Sequence, residues 1–551
     1  METWFTVIIS LCLIFLLRTL FSLLQKSSST KINNLFPPGP TRIPIITPII
    51  WLTKPVSQVE ATIKNIHAKY GPIVNLHIGS SPSIFINDGS IAHQVLIQNR
   101  FVFVSSNQHD ITSGSYGPTW RILRRNLTTE MLHPSRFKSF AQTRKWVLDV
   151  LLKRLKSDTK SSDSVKVMDH FQRAMFSLLV FMCFGQRVHD KKLNDIQQEE
   201  RSLLMSFHNF NELLKLQSNQ EEVLLPLIRV RKEAKKNGLC NDNNNPRAYV
   251  DTLLDLKLSN EGQRNLDEGE IVTLCSEFLA TGTETTAAAL QWIMANLVKY
   301  PHMQQRIVDE IRKVMEVSDR EETEEVQEED LEKLPYLKAV VLESLRRHPP
   351  AHILLPHAAT EDTALNGYLF PKKGSVNFMV AEIGRDPKAW EDPMAFKPER
   401  FLNEDGSEVE NFDITGTQEI KMMPFGAGRR ICPGYNLAML HLEYYVANLV
   451  WNFDWKVPNG GDVDFTELKE FAYVMKNPLQ AHISPRIKDK YLAQLHLPMP
   501  LCGLSKLEIA TLPHFAGGSP LVPLVSIIYY LFVSLRDEEC DDIIEPSQIR
   551  L

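Results

Sequence analysis

The sequence lacks the cysteine pattern of a disulfide-stabilised or zinc-stabilised protein. Its seven cysteines, an odd number in a chain of 551 residues, are widely scattered, at positions 12, 183, 240, 275, 432, 502 and 540. No two of them form the Cys-x-x-Cys pair that structural zinc sites commonly use. Because such a set does not build a disulfide framework, we expect the main body of the chain to fold in a reducing compartment.

An excess of positive charge is also lacking. The formal net charge is −5 at pH 7, and no basic block with interleaved aromatic residues occurs. A nucleic-acid partner is therefore not expected. Hydrophobic residues make up 43% of the chain and charged residues 23%, which is the composition of a globular protein with a substantial core.

Strand-like runs are few and short, and the sequence contains no internal repeat. Three such runs lie at 73–78, 83–86 and 368–370. Segments with helical periodicity dominate instead, for example at 139–155, 172–184, 267–298 and 303–317. The pattern predicts a mainly α protein with a small β-sheet region.

One long hydrophobic run stands at the N-terminus. Residues 4–24 are 21 almost entirely apolar residues, about the length that crosses a hydrocarbon layer of ~30 Å. A cleaved signal peptide is the alternative, but Glu2 stands where such a peptide carries positive charge, and no small-residue cleavage site follows. Basic residues after the span (Lys26, Lys31 and Arg42) predict a cytosolic body and a lumenal N-terminus.

The chain is predicted to have four parts. The proline-rich sequence at 35–40 cannot continue a helix and forms a stiff hinge. The predicted parts are a transmembrane anchor, a hinge with its lead-in, one large helical domain and a C-terminal extension, at 1–30, 31–54, 55–487 and 488–551.

The C-terminal extension contains a short apolar run at 521–535, which Pro523 interrupts near its start. Three interpretations stay open for the extension. It is a second membrane contact, an element packed on the core, or a non-functional extension from an unusual gene model or splice form.

The glycine-rich segment Pro-Phe-Gly-Ala-Gly-Arg-Arg-Ile-Cys-Pro-Gly at 424–434 is the most informative stretch. Its glycines let the backbone approach a large flat group, and its two arginines can pair with anions. Gly434 opens a helix-like segment, whose N-terminus favours a thiolate over a thiol at Cys432. An axial thiolate ligand of haem iron needs this setting. A dinucleotide-binding loop would require a third glycine where Ile431 stands, and a plain buried cysteine is the other alternative.

The segment matches the complete pattern Phe-x-x-Gly-x-Arg-x-Cys-x-Gly, at Phe425, Gly428, Arg430, Cys432 and Gly434. This pattern resembles the haem-binding loop of the cytochrome P-450 family. The resemblance implies that the loop binds haem b (iron protoporphyrin IX), with Cys432 as the ligand of the metal. It also implies the fold of that family, with a single large catalytic domain behind an N-terminal membrane anchor. The motif sequences are most similar to those of plant microsomal members.

A second motif, Leu-Ala-Thr-Gly-Thr-Glu-Thr-Thr at 279–286, places poor helix formers inside a long apolar helix pattern. Threonine hydroxyls can bond to carbonyls of the preceding turn and bend a helix. The motif is similar to the oxygen-activation motif of the family, which makes Thr285 and Glu284 the candidate catalytic residues. The resemblance assigns oxygen activation to the Thr285 hydroxyl and a proton relay to Glu284. Thr281 departs from the usual small residue, and a threonine cluster in a packed helix is the alternative.

Haem propionates are anions, and burying them requires paired donors. Trp120 and Arg124 lie at i and i+4 on one helical face, which resembles the Trp-x-x-x-Arg motif of the family. His357 and Arg430 complete the set that the resemblance implies. For His357, a loop histidine or a zinc ligand together with two neighbouring histidines are the alternatives.

A structural role is expected for the sequence Glu-Ser-Leu-Arg at 343–346. Its acid and base are spaced i, i+3 on one helix face, where they can meet. The resemblance implies that Glu343 and Arg346 form a buried charge network with Arg400.

The resemblance implies a haem-dependent monooxygenase, an oxidoreductase that inserts one oxygen atom from O2 into a small apolar or amphipathic organic substrate. Electrons would come from an NADPH–haemoprotein reductase, since the sequence shows no flavin or NADPH module of its own. The reductase would dock on basic residues of the proximal side, namely Arg121, Arg125, Lys421 and Arg429.

The implied location is the endoplasmic reticulum membrane, with a single span, contact with membrane lipid and a cytosolic catalytic domain. Two rival functions stay open. One is a family member that rearranges or dehydrates its substrate without O2, and the other is a haem-binding protein without turnover. The identity of the substrate is not encoded in any of these motifs.

Overall fold

The computed structural model describes residues 35–40, 56–78, 81–98, 102–103, 109–161, 163–205, 210–238, 246–318, 325–359, 361–372, 374–409, 412–458 and 461–486, and also residues 10, 14, 15 and 18. The chain divides into two compact units, residues 1–490 and 491–551. All described residues belong to the first unit. The predicted extension lies outside the described residues, and so does nearly all of the predicted anchor.

Helices account for most of the described residues. They are α1 Val56–Tyr70, α2 Gly89–His93, α3 Pro118–Asn126, α4 Pro134–Phe137, α5 Ala141–Ser161, α6 Val167–Phe184, α7 Asp190–Met205, α8 Phe210–Lys236, α9 Tyr249–Asp255, α10 Glu268–Lys299, α11 Pro301–Val317, α12 Pro335–Arg347, α13 Val380–Gly384 and α14 Tyr435–Asn452. Short π-helical turns continue α2 and α3, at Gln94–Gln98 and Leu127–Met131.

The strands are short. They are β1 Ile73–Ile78, β2 Ser81–Ile86, β3 Val102–Phe103, β4 Val165–Lys166, β5 Lys257–Leu258, β6 Arg264–Asn265, β7 His357–Ala358, β8 Thr363–Leu365, β9 Tyr368–Phe370, β10 Ser375–Phe378, β11 Phe453–Lys456, β12 Glu467–Lys469, β13 Tyr473–Met475 and β14 Gln480–Pro485.

The largest described sheet has the order β1-β2-β10-β7-β3. Strands β1 and β2 pair antiparallel, with Ile73 opposite Ile86. Strand β10 joins β2 in parallel, with Val376 opposite Ile84, so the sheet combines segments almost 300 residues apart. A second sheet has the order β11-β14-β4, and the remaining strands form the pairs β12-β13, β5-β6 and β8-β9.

Helix α10 runs through the centre of the helical core. It begins at a capping box in which Asp267 accepts a hydrogen bond from the Glu270 N–H at 2.8 Å and Glu270 accepts one from the Asp267 N–H at 2.9 Å. It packs against α6 so closely that a Cβ on Gly282 would lie 2.8 Å from Leu179 Cδ1. The glycine in the threonine-rich motif therefore allows Leu179 of α6 to approach α10 closely, and α10 stays α-helical through the motif.

Helix α6 is the one described helix that is long and apolar enough to cross a membrane. In this structure 78% of it is buried among its neighbours in the protein, including α5 and α10. Its apolar composition is explained by this position in the core, since a helix that is covered on all sides is hydrophobic all round.

The charge network at the end of α12 is buried, as predicted. Arg346 contacts both carboxylate oxygens of Glu343, at 2.7 and 2.8 Å, and neither side chain is exposed to solvent. Arg346 also donates to the carbonyls of Gly384 and Pro393, both at 2.8 Å. Arg400 approaches Glu343 at 3.4 Å. The network thus ties α12 to the loop that leads toward the glycine-rich segment.

Replacing Arg346 is expected to prevent accumulation of folded protein. Arg346→Ala leaves the buried Glu343 carboxylate without its bidentate partner, which costs about 3–5 kcal/mol of unfolding free energy. The measurement is the yield of soluble protein and its thermal unfolding temperature. Arg229→Ala is the matched control, because Arg229 pairs with Glu268 at 2.7 Å on the surface and its loss should change little. Equal stability of the two variants would contradict a structural role for the buried pair.

Candidate functional site

The glycine-rich segment places one cysteine sulfur at the start of a long buried helix. Cys432 lies between a 3₁₀ turn at Gly428–Arg430 and helix α14. Its backbone N–H donates to the Phe425 carbonyl at 2.8 Å, which closes the loop. The N–H of Gly434 donates to the sulfur itself. The ring of Phe425 is half-buried and lies 6.2 Å from the ring of Tyr435.

Two glycines give the loop its shape. Gly426 and Gly428 both have positive φ, at 70° and 72°, where an L side chain is strained. A Cβ on Gly428 would also lie 2.6 Å from the Leu96 carbonyl oxygen. The loop therefore depends on glycine at this position for both its backbone conformation and its contact with the π-helical turn that follows α2.

Opposing effects act on the Cys432 thiol. Burial raises its pKa, whereas the Gly434 N–H and the Arg124 guanidinium lower it. The N–H bond and the nearby cation favour the charged thiolate, and a metal cation bound to the sulfur would favour it much further. These surroundings suit a sulfur that becomes a thiolate when it binds a metal ion.

Trp120 of α3 and Arg430 of the glycine-rich segment form a stacked pair that is bonded to the segment before α3. The guanidinium carbon of Arg430 lies 4.0 Å from the centre of the Trp120 ring. Both side chains are anchored to one carbonyl, because Trp120 Nε1 donates to Ile111 O at 2.9 Å and Arg430 Nη1 donates to it at 3.0 Å. Arg430 Nη2 donates to Gly114 O at 2.6 Å.

Arg124 and His357 extend this basic cluster. Arg124 lies 6.0 Å from the Trp120 ring centre and donates to the carbonyl of Ile431, next to the cysteine. His357 is buried in strand β7, with Nδ1 2.9 Å from Leu355 O. The structure thus brings together all four side chains that the sequence predicted for propionate binding, and it places them near the loop that carries Cys432.

Burial and mutual repulsion both act against the charged forms of this cluster. Burial and the charge of Arg124 together lower the pKa of Arg430 to about 10, although Asp110 and Glu277 oppose this shift. Burial also lowers the pKa of His357 to about 4, the Leu355 carbonyl opposes this effect, and Arg430 reinforces it. Partly buried cations that face one another are stabilised by an anionic group with several acceptor oxygens. The residues present therefore fit haem, whose propionates would meet the cluster and whose iron would meet the sulfur.

The two candidate catalytic residues lie in the middle of α10. Thr285 is half-buried and its hydroxyl donates to the Thr281 carbonyl at 2.7 Å. Glu284 is 8% exposed, and its Oε2 accepts a hydrogen bond from Gln172 Nε2 at 2.8 Å. Burial raises the pKa of the Glu284 carboxyl, while Arg201 and Gln172 lower it. The Glu284 carboxyl therefore lies one position before the threonine on α10, with burial opposing its charged form.

A polar chain leads from Glu284 toward solvent. Gln172 accepts from Arg201 Nη1 at 3.3 Å, and Arg201 Nη2 lies 3.6 Å from Glu470 Oε2. The Arg201 side chain is 46% exposed. The sequence motif alone did not identify Gln172 or Arg201, because they lie on α6 and α7 and meet the motif only in the folded chain.

Glu277 is a further acidic residue that the sequence analysis missed. Its Oε2 accepts from the Ile111 N–H at 3.0 Å, and its Oε1 accepts from the Thr112 N–H. Burial raises the pKa of its carboxyl to about 7, although the hydrogen bonds from Thr112 and Ile111 lower it. A signal was present, since positions 277, 281 and 285 are spaced i, i+4, i+8 and share one helix face.

The four basic residues predicted to dock a partner are all exposed. Two of them flank one aromatic ring, because the guanidinium carbons of Arg121 and Arg429 lie 5.8 and 4.9 Å from the centre of the Tyr116 ring. Arg125 follows the propionate-side Arg124 in α3, and Lys421 precedes the glycine-rich segment.

Two of the three neighbouring histidines share a partner, because His348 Nδ1 and His352 Nε2 lie 3.1 and 3.6 Å from the Glu467 carboxylate. His348 stacks on Trp292 at 4.1 Å and faces Glu467, while His352 stacks on Tyr473 at 3.5 Å and faces Glu60. His357 faces Arg430 instead. Within the described residues, no three His, Cys, Asp or Glu side chains are grouped to hold a metal ion.

Comparison with known proteins identifies a consistent set of relatives. The family model described as Cytochrome P-450 matches residues 37–483. The chain is 46% identical to Cytochrome P-450 89A9 of Arabidopsis thaliana, over 85% of this chain and 97% of that protein. It is 30% identical to 5-epiaristolochene 1,3-dihydroxylase of Nicotiana tabacum, over 86% of this chain and 98% of that protein.

A solved structure of a zebra fish cytochrome P-450 with abiraterone is similar in fold. The TM-score is 0.65 at 23% sequence identity, and the likeness covers 78% of this chain and 100% of that one. The predicted fold class is confirmed by this likeness and by the family match.

Replacing Gly428 is expected to disrupt the loop more than replacing Gly426. Gly428→Ala adds a contact with the Leu96 carbonyl to the ~1–2 kcal/mol that a left-handed alanine costs, whereas Gly426→Ala adds the backbone cost with its nearest atom at 3.5 Å. The measurement is haem content and thermal unfolding of both purified variants. If Gly428→Ala retained as much haem and stability as Gly426→Ala, the close approach to Leu96 would not shape the site.

Proposed function

Because the chain belongs to the cytochrome P-450 family and is a haem-dependent monooxygenase, we propose that Cys432 is the residue that ligates the haem iron. Haem b is the cofactor of the family, and its reaction uses O2, a small-molecule substrate and a redox partner. One observation carries the assignment of Cys432. Its sulfur accepts a hydrogen bond from the Gly434 N–H and lies beside the cluster of basic side chains. The other described cysteines, Cys183 and Cys275, are buried elsewhere.

Haem with a thiolate ligand supplies O2 binding and favours O–O bond cleavage. The residues of this chain hold and orient that group. The Phe425 carbonyl fixes the Cys432 backbone, and the Gly434 N–H holds the sulfur. Because α14 begins directly after Gly434, its N-terminal end also favours negative charge at the sulfur.

The propionates would be held by Trp120, Arg124, His357 and Arg430. The carbonyls of Ile111 and Gly114 accept hydrogen bonds from Arg430 and fix the orientation of its guanidinium group. Such prior orientation lowers the entropic cost of binding. Trp120 contributes an indole face for the Arg430 guanidinium and an N–H that anchors the segment.

Proton delivery is assigned to Glu284 and Thr285. Burial raises the pKa of the Glu284 carboxyl, which favours uptake of a proton there, and Gln172 fixes the orientation of the group. The Thr285 hydroxyl donates to the Thr281 carbonyl and can still accept a hydrogen bond through its oxygen. Arg201 marks the side from which solvent can restore a proton to Glu284.

The proposed reaction is hydroxylation of a small apolar or amphipathic organic molecule. The name of the tobacco relative describes a dihydroxylase of an organic substrate, which supports this reaction class. Thr285 and Glu284 are both present in the motif of this chain. This supports oxygen chemistry over the O2-independent rearrangement that the sequence left open.

The proposed redox partner is an NADPH–haemoprotein reductase. Arg121, Arg125 and Arg429 are exposed near the cysteine loop and could meet an acidic partner. The proposed location is the endoplasmic reticulum membrane, with one span at residues 4–24, lipid contact and a cytosolic catalytic domain. The apolar run at the N-terminus supports this location.

The ligand assignment predicts the spectrum of Cys432→Ala. Without the sulfur, the reduced protein with carbon monoxide should lose the red-shifted Soret band of thiolate-ligated haem, and turnover should cease. Cys275→Ala is the matched control, because Cys275 is buried on α10 with Cys183 and away from the loop. A red-shifted band that persists in Cys432→Ala would refute the assignment.

The proton-delivery assignment predicts uncoupled turnover in Thr285→Ala. The variant should bind haem normally but release more hydrogen peroxide per NADPH consumed, because a proton-delivery hydroxyl has been removed. Thr283→Ala is the control, since the Thr283 hydroxyl makes an equivalent 2.7 Å bond to the Leu279 carbonyl. The assay uses holoprotein reconstituted with reductase and a substrate found by spectral titration. Equal peroxide yields from the two variants would remove Thr285 from the mechanism.

A further inference from the structure

One carboxyl group joins α10 to the segment that carries the basic cluster. Glu277 accepts the backbone N–H groups of Ile111 and Thr112, which are 166 and 165 residues away along the chain. The segment from 109 to 117 contains no helix or strand. Its position therefore depends on tethers such as these rather than on a ladder of backbone hydrogen bonds.

Both backbone polar groups of Ile111, its N–H and its carbonyl, are hydrogen-bonded to side chains. Its N–H donates to Glu277, and its carbonyl accepts from Trp120 Nε1 and Arg430 Nη1. Three residues on, Gly114 supplies the second carbonyl to Arg430. A displacement of the Ile111 backbone from Glu277 would consequently move two of the contacts that orient Arg430 and one that orients Trp120.

Glu277 is half-buried, and its two carboxylate oxygens are the acceptors for the Ile111 and Thr112 N–H groups. An apolar side chain at this position would leave both N–H groups without these acceptors, which is unfavourable away from water. The charged and titratable groups that interact with Glu277 are Asp110, Arg124, Arg430 and Tyr249. Two of these are the arginines of the basic cluster, so the carboxyl is electrostatically part of that site.

We propose that Glu277 is a positioning residue for the haem edge, which sets the place of Arg430 and Trp120 through the backbone of Ile111. It links the helix that carries Thr285 to the residues that hold the propionates. The inference rests on the proposed function, because it takes Arg430 to be a propionate partner.

Haem release from the holoprotein to excess apomyoglobin tests this inference without requiring a substrate. Glu277→Gln keeps one acceptor oxygen and sets an NH2 group against the second backbone N–H. It should accelerate release about tenfold, which corresponds to the net loss of one hydrogen bond between the backbone and the Glu277 side chain. Glu268→Gln is the control, since Glu268 lies in the first turn of the same helix and pairs with Arg229 on the surface. Its release rate should equal that of the wild type.

A double-mutant cycle with Arg430→Lys separates positioning from general stability. If Glu277 acts through Arg430, adding Glu277→Gln to Arg430→Lys should change the release rate less than twofold, because coupled residues are not additive. Should Glu277→Gln fail to accumulate as holoprotein, Glu277→Asp enters the same cycle, since its shorter carboxylate cannot span both N–H groups.

The outcomes distinguish the propionate assignment of Arg430 from the positioning role of Glu277. A wild-type release rate in Arg430→Lys would remove the propionate assignment, and the role of Glu277 would fall with it. Faster release in Arg430→Lys together with full additivity of Glu277→Gln would leave the propionate assignment intact and overturn the inference about Glu277. A wild-type rate in Glu277→Gln itself would also overturn it.

Discussion

The structure depends on holding one half-buried cysteine sulfur where its charged form would otherwise be unfavourable. Burial alone raises the pKa of the Cys432 thiol. The Gly434 N–H, the Arg124 guanidinium and the start of α14 all act in the opposite direction. The loop geometry follows from this requirement, because the two positive-φ glycines turn the chain so that the sulfur and the helix start meet.

The basic cluster beside the sulfur shows how the scaffold holds like charges together. Arg430 is bound to the carbonyls of Ile111 and Gly114, and Arg124 to that of Ile431. Backbone carbonyls are neutral acceptors, so they orient the guanidinium groups without neutralising them. The positive charge is therefore kept for an anionic ligand, and the segment that supplies the carbonyls becomes part of the site.

Local constraints made much of this predictable from the sequence. Runs at 73–78 and 368–370 match β1 and β9, and the periodic segment at 267–298 matches α10 within one residue at each end. The cysteine loop was predictable because its glycine, arginine and cysteine positions are fixed within eleven residues. Strand β10 was not predicted, since its four residues acquire their role only by pairing with β2 far away in the chain.

The partners of the motif residues could not be predicted from the sequence either, because they too lie far away in the chain. Glu277 contacts Ile111 across 166 residues, and Glu284 contacts Gln172 across 112. The glycine at 282 looked like part of a bend, but its near contact is Leu179 on α6. The motif identifies candidate residues for the chemistry, whereas the side chains that contact them are brought there only by the fold.

Resonance Raman spectroscopy of the purified holoprotein, labelled with a heavy sulfur isotope in its cysteines, tests the central claim most directly. The account predicts an iron–sulfur stretching mode that moves to lower frequency with the label, since a cysteine thiolate binds the haem iron. A spectrum of the haem-loaded protein with no isotope-sensitive mode would contradict thiolate ligation and the function built on it.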